Sequence, residues 1–91
     1  MYQLESFQYG MLAYSKAGHD KGNLYVIIKS DHEYVYLVDG IHKKISNPKK
    51  KKIKHIQIIN EIPETLKECI SSGKKVTDED IKRNIKMFLK Q

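Results

Sequence analysis

The apolar residues of this 91-residue chain change period near Asn60, and that change does most to limit its architecture. Before it, short β-branched and aromatic runs are cut by turn residues. Met11 to Lys16 reads as a first strand. The turn Ala17-Gly-His-Asp-Lys-Gly22 follows, with two glycines and an aspartate. Leu24 to Lys29 reads as a second strand, and Ser30 to Glu33 is a polar connection of hairpin length. Glu33 to Val38 forms a third strand, stopped by Asp39-Gly40. Lys43-Lys44-Ile45 is expected as a short fourth strand, and Asn47-Pro48 as a break. Lys54 to Ile58 is expected as a fifth, with Ile56 and Ile58 sharing a face. Five short strands at this spacing predict a small antiparallel barrel over about residues 8–60.

After Asn60 the spacing becomes helical. Ile62, Leu66 and Ile70 fall on one face behind Pro63, and Gly73 is a natural stop. Thr77 opens a capping pattern, with Asp78, Glu79 and Asp80 in the first turn, where the helix dipole favours anions. Ile81, Ile85, Phe88 and Leu89 continue as an amphipathic stripe. The expected fold class is therefore mainly β with a C-terminal α part. Residues 1–60 form the barrel with its basic loop, and residues 61–91 form a two-helix extension. The helix stripes need cover from the barrel, from each other or from a partner. At this length roughly 60–65% of the unfolded surface becomes buried, enough for one modest core.

The chain carries 17 basic and 11 acidic residues, a net charge of +6. A field of that sign favours polyanions. It is uneven: residues 1–60 hold ten lysines against five acids, and residues 61–91 hold seven basic residues against six acids. Arg83 is the only arginine. Lysine attracts phosphate as a point charge, whereas arginine is the usual reader of base edges. The composition thus argues for backbone attraction over sequence reading, although an AT-rich genome would also enrich lysine and isoleucine. The single cysteine, Cys69, excludes an internal disulfide and a cysteine-rich zinc site. No apolar run reaches the length of a membrane span, and Met1 to Gly10 lacks the basic flank and apolar run of a signal peptide. A soluble cytoplasmic protein is expected.

The main charged feature is Ile41 to His55, with seven lysines and no acid. Repulsion among them raises the free energy of the unpartnered protein, and a phosphate backbone would relieve it. About five contacts to an irregular or single-stranded RNA would give a log K against log salt slope near −3.5. The competing readings are a solvated lysine loop or, in a eukaryote, a nuclear import signal. Favouring RNA binding over both is that the run leads into an alternating strand, which would hold Lys52, Lys54 and His55 on a fixed surface. The turn Lys16 to Gly22 is the second feature. Its glycines permit close approach of the backbone to a ligand, with Lys16, His19 and Lys21 on one rim; spacing alone makes it a plain turn. Neither this turn nor Gly73-Lys74-Lys75 matches a phosphate-binding P-loop.

Ser15-Lys-Ala-Gly-His-Asp-Lys-Gly22, set between two apolar strands, resembles the KOW motif of translation proteins. With Val38-Asp-Gly40 and Asn47-Pro-Lys-Lys-Lys-Lys-Ile-Lys-His-Ile-Gln57, the chain is similar to the small KOW-domain RNA-binding proteins of Firmicutes. These are related to the archaeal and eukaryotic large-subunit ribosomal proteins of the fourteen-e type. The likeness covers about Tyr9 to Gln57 and extends loosely to the helical tail. It implies an SH3-like barrel that binds ribosomal or other structured RNA, with Gly18 as the turn glycine flanked by the basic Lys16 and Lys21. His19 stands where the family would place an arginine.

Six tyrosines (2, 9, 14, 25, 34, 36) could stack on splayed bases. Alternation sets Tyr34 and Tyr36 on the face opposite Val35 and Leu37, so that one pair faces the core and the other is free to be exposed. The competing reading is that these tyrosines only pack the barrel with their hydroxyls at the rim; it is the better one for Tyr25 and stays open for Tyr34 and Tyr36. The four histidines show no ligand spacing, Cys69 falls on an apolar helix face, and nothing in the pattern points to catalysis. The expectation is a non-catalytic RNA-binding module, associated with the ribosome or ribosomal RNA, without cofactor or metal. Its RNA-binding residues would be Lys16, Gly18, His19, Lys21, Lys43, Lys44, Lys49, Lys50, Lys51, Lys52, Lys54 and His55, with Tyr34 and Tyr36 as stacking candidates. RNA and ribosomal proteins are the expected partners. The alternative is a protein-interaction module using the tyrosine face or the helices. A membrane-binding reading rests on Lys82, Arg83, Lys86 and Lys90 and is weakened by the acidic start of that helix.

Overall fold

A computed structural model of the chain describes residues 8–59 and 61–90. Tyr2, most of the N-terminal stretch and the expected boundary at Asn60 lie outside the described residues. The elements run β1 (Leu12–Ser15), β2 (Leu24–Ser30), β3 (Tyr34–Val38), β4 (Lys49–Lys52), a 3-10 turn (Ile53–His55), β5 (Ile56–Ile59), α1 (Glu64–Ser71) and α2 (Asp78–Leu89). The strands form one antiparallel sheet in the order β4-β3-β2-β1-β5, followed by the two helices.

The sheet is strongly curled. Its two outer strands, β4 and β5, are consecutive in the chain, and Lys52 and Ile56 bracket the three-residue turn between them. Four residue steps reach at most about 14 Å. Four strand spacings in a flat sheet would separate those edges by about 19 Å. The turn ties to both sides: the Ile53 N–H donates to the Glu33 carbonyl at 2.9 Å, and the Lys16 N–H donates to the His55 carbonyl at 2.8 Å. No ladder joins β4 to β5, so the sheet stays open among the described residues.

Curling divides the core in two. The concave face packs on itself through Met11, Ala13, Tyr25, Ile27, Val35, Leu37 and Ile56, with Ile53 and Ile58 at its margin. Ile56 and Ile58 thus share a face, as their alternation requires. The convex face presents Leu12, Leu24, Val26 and Val38, and these are covered by Leu66 of α1 and Ile81 and Ile85 of α2, with Val76 between the helices. The helices therefore pack on the sheet as well as on each other. Each fully buried side chain of this kind contributes about 1.5–3 kcal/mol. The capping box at Thr77 is present, its hydroxyl accepting from the Asp80 N–H while the Asp80 carboxylate accepts from the Thr77 N–H. Leu89 lies past the end of the buried stripe and is exposed, contrary to expectation.

Two strand expectations need correction. Residues 43–45 are loop, because their donors are committed elsewhere. Asp39 Oδ1 accepts from the N–H groups of Ile41, His42 and Lys43 at 2.8–2.9 Å, and Asp78 Oδ1 accepts from Ile45 N–H at 2.7 Å. Gly40 sits in the same turn at φ +81°, and an added Cβ would lie 2.3 Å from the Asp78 carbonyl oxygen. The fourth strand is instead the lysine run itself, Lys49–Lys52, paired only with β3. Lysine suits such an edge, where charge discourages further strand pairing and the aliphatic stem packs along the sheet. The fifth strand starts two residues later than expected, since Lys54 and His55 belong to the 3-10 turn.

Candidate nucleic-acid interface

The register of β4 against β3 sorts the four lysines. Lys49 and Lys51 pair with Leu37 and Val35 and share their concave face. Lys50 and Lys52 pair with Tyr36 and Tyr34 on the convex face.

The inward pair meets Asp20, from the turn between β1 and β2. Lys51 Nζ donates to Asp20 Oδ1 at 2.7 Å and to the Ala17 carbonyl at 2.9 Å, and Lys49 Nζ lies 3.4 Å from Asp20 Oδ2. Ser15 Oγ and Tyr25 Oη also donate to the carboxylate, at 2.9 and 3.0 Å. Burial alone would push the Asp20 carboxyl up. The hydrogen bonds from Lys51, Ser15 and Tyr25, with the charge of Lys51, outweigh it and hold the group well below the ordinary carboxylate range. Asp20 thus locks the glycine-bearing turn against β4. Tyr25 takes the core position expected of it, its hydroxyl directed at this carboxylate. Gly18 lies in this turn at φ +89°, with Asp20 Oδ1 and Lys51 Nζ each 3.6 Å from the position a Cβ would take.

The lock sets Lys16 beside the end of β4. Lys16, His32, Glu33, Lys52, Ile53, Lys54 and Ile56 line a cleft of about 480 Å³. Lysines from both segments singled out by charge therefore share one depression, floored by isoleucines, with Glu33 as its acid. Lys16 and Lys54 are exposed and Lys52 is half-buried. His55 is half-buried and contributes its carbonyl to Lys16 N–H. His19 and Lys21 are exposed on the turn. Lys43 and Lys44 belong to the loop docked on the first turn of α2, and they do not line the cleft.

On the convex face, beyond the area covered by the helices, Tyr34 and Tyr36 are half-exposed. Lys50 Nζ lies 4.3 Å from the centre of the Tyr34 ring, and Lys29 Nζ lies 5.3 Å from that of Tyr36. Lys29 reaches this face because β2 bulges: Ile27 pairs with Leu37 and Lys29 with Tyr36, leaving Ile28 as the extra residue. Neither Asp20 nor Lys29 stood out in the sequence. The available signal for Asp20 was a lone acid inside a basic, glycine-flanked turn. The bulge that turns Lys29 outward has no local signature.

Among the described residues, no group of three or more His, Cys, Asp or Glu could hold a metal ion, and no helix is long and apolar enough to cross a membrane. Comparison with protein-family models and with curated proteins yields no match.

Proposed function

We propose that this protein is a non-catalytic RNA-binding module of the KOW type, built on an SH3-like barrel and associated with ribosomal or other structured RNA. The carrying observation is that Lys16 lines the same cleft as Lys52 and Lys54 while the Asp20–Lys51 pair clamps their two segments together. The chain order also supports the barrel reading: the short 3-10 turn between β4 and β5 and the β5–β1 pairing are what such a barrel requires. Phosphates along one strand are held by point charges whose spacing the scaffold sets, so shape preference exceeds sequence preference. The helix half of the protein-interaction alternative is weakened because Leu66, Ile81 and Ile85 are already buried on the sheet.

The test replaces Lys16, Lys52 and Lys54 together with glutamine, which leaves the Asp20–Lys51 clamp intact. Binding to an oligouridine and to a ribosomal-RNA hairpin is titrated against salt. Loss of three phosphate contacts should flatten the single-strand slope by about 2. Unchanged affinity and slope on both RNAs would refute the proposal. In cell extracts, the wild-type chain should comigrate with ribosomal subunits in a salt-sensitive manner.

A further inference from the structure

We infer that Tyr34 and Tyr36 form a stacking platform for two successive bases of a single-stranded RNA segment whose phosphates run into the Lys16–Lys52–Lys54 cleft, an inference that rests on the RNA-binding reading above.

Three observations carry it. The two rings occupy alternate positions of β3 on the convex face, outside the cluster covered by the helices. Each already has a lysine ammonium over its ring, 4.3 and 5.3 Å from the centroid, so each offers a ring face that a planar ligand can use. Lys52 pairs with Tyr34 across the β3–β4 ladder and also lines the cleft, which makes platform and cleft continuous.

Spacing selects the ligand. Side chains at i and i+2 of a strand stand about 6.6 Å apart, roughly twice the ~3.4 Å between stacked bases. Neighbouring bases can therefore occupy both rings only when they are splayed apart. A duplex holds its bases stacked and paired, so it cannot use the platform. Charge complements this choice, because three lysines, Lys29, Lys50 and Lys52, stand beside the rings against one nearby acid, Asp31, whose carboxylate is engaged by the backbone N–H groups of Glu33 and Tyr34. A base displacing a lysine from a ring exchanges a contact worth about a two- to fivefold factor for one worth about fivefold or more. The freed ammonium then stands beside the incoming phosphate.

The experiment uses the full chain and two probes, a fluorescein-labelled oligouridine of about ten nucleotides and an RNA duplex of similar length. Tyr34→Ile and Tyr36→Ile should each weaken oligouridine binding at least about fivefold, with little change in salt slope and none in duplex affinity. Tyr34→Phe/Tyr36→Phe, which keeps both rings, should bind as the wild type does. Saturating oligouridine should also quench wild-type tyrosine emission by a larger fraction than it quenches that of the Phe pair. This readout needs no isoleucine variant to fold. Equal quenching in the two proteins, or isoleucine variants that melt normally and bind oligouridine like the wild type, would overturn the platform. Should that occur while the Lys16/Lys52/Lys54 variant still loses affinity, the cleft reading survives alone. Absence of wild-type binding to either probe would end both.

Discussion

Asp20→Asn preserves the shape of a buried side chain and removes its charge. In the native protein the Asp20 and Lys51 side chains are only 10% and 9% exposed, and their charged atoms are 2.7 Å apart. The substitution leaves the Lys51 ammonium buried with only neutral acceptors, the Ala17 carbonyl and the amide oxygen of the new side chain, and no opposing charge. Stripping one partner from a buried pair costs about 3–5 kcal/mol, because the other charge stays desolvated and unpaired. A chain of this length has a total stability of about 5–14 kcal/mol. Urea unfolding followed by circular dichroism should therefore show a midpoint lowered by about 3 M or more, taking a slope of about 1 kcal/mol per molar. Lys51→Met should be milder, since Ser15 and Tyr25 still donate to the carboxylate and Lys49 remains near it. The Asp20→Asn/Lys51→Met double variant removes both charges and should recover most of the loss, giving a strongly non-additive cycle. A single Asp20→Asn cost below about 1 kcal/mol, or a double variant as unstable as the sum of the singles, would refute the clamp.

Acid should act through the same carboxylate. Its folded pKa is depressed, so its contribution is complete above the unfolded carboxylate value of about 4 and declines as pH falls below it. Wild-type melting temperature should drop between about pH 4 and pH 2, and the drop should be shallower in Asp20→Asn, where this group no longer titrates; parallel curves would contradict the assignment. Gly40 and Gly18 offer a paired test of close packing. Both have positive φ, worth about 1–3 kcal/mol against alanine, but only at Gly40 would the new Cβ meet backbone, at 2.3 Å from Asp78. Gly40→Ala should lower the melting temperature well beyond Gly18→Ala, and equal effects would mean that the 39–47 loop is not seated on α2.

Much of the architecture was readable locally. The first three strands follow from β-branched alternation between glycine and aspartate turns, and the second helix from the Thr77 capping pattern and the Ile81/Ile85 spacing. These signals act within a few residues, where backbone preference and side-chain period are set. The lysine run failed as a local signal. Its residues have no apolar period, and lysine is disfavoured in strands, so nothing in the run itself marks β4. Its pairing comes from β3, and the carboxylate for Lys51 comes from a turn 31 positions earlier.

Local signals in the chain were enough for β followed by α, a strongly basic first part, two lysine-bearing segments and a tyrosine pair sharing one face of the third strand. The role of each lysine was set by how distant segments assemble. One strand alternation divides the run between a buried acid and the convex face that carries the tyrosines. A bulge turns Lys29 onto that tyrosine face, and a three-residue turn brings Lys54 to Lys16. Burial and long-range pairing depend on where distant segments meet, and composition carries no record of that.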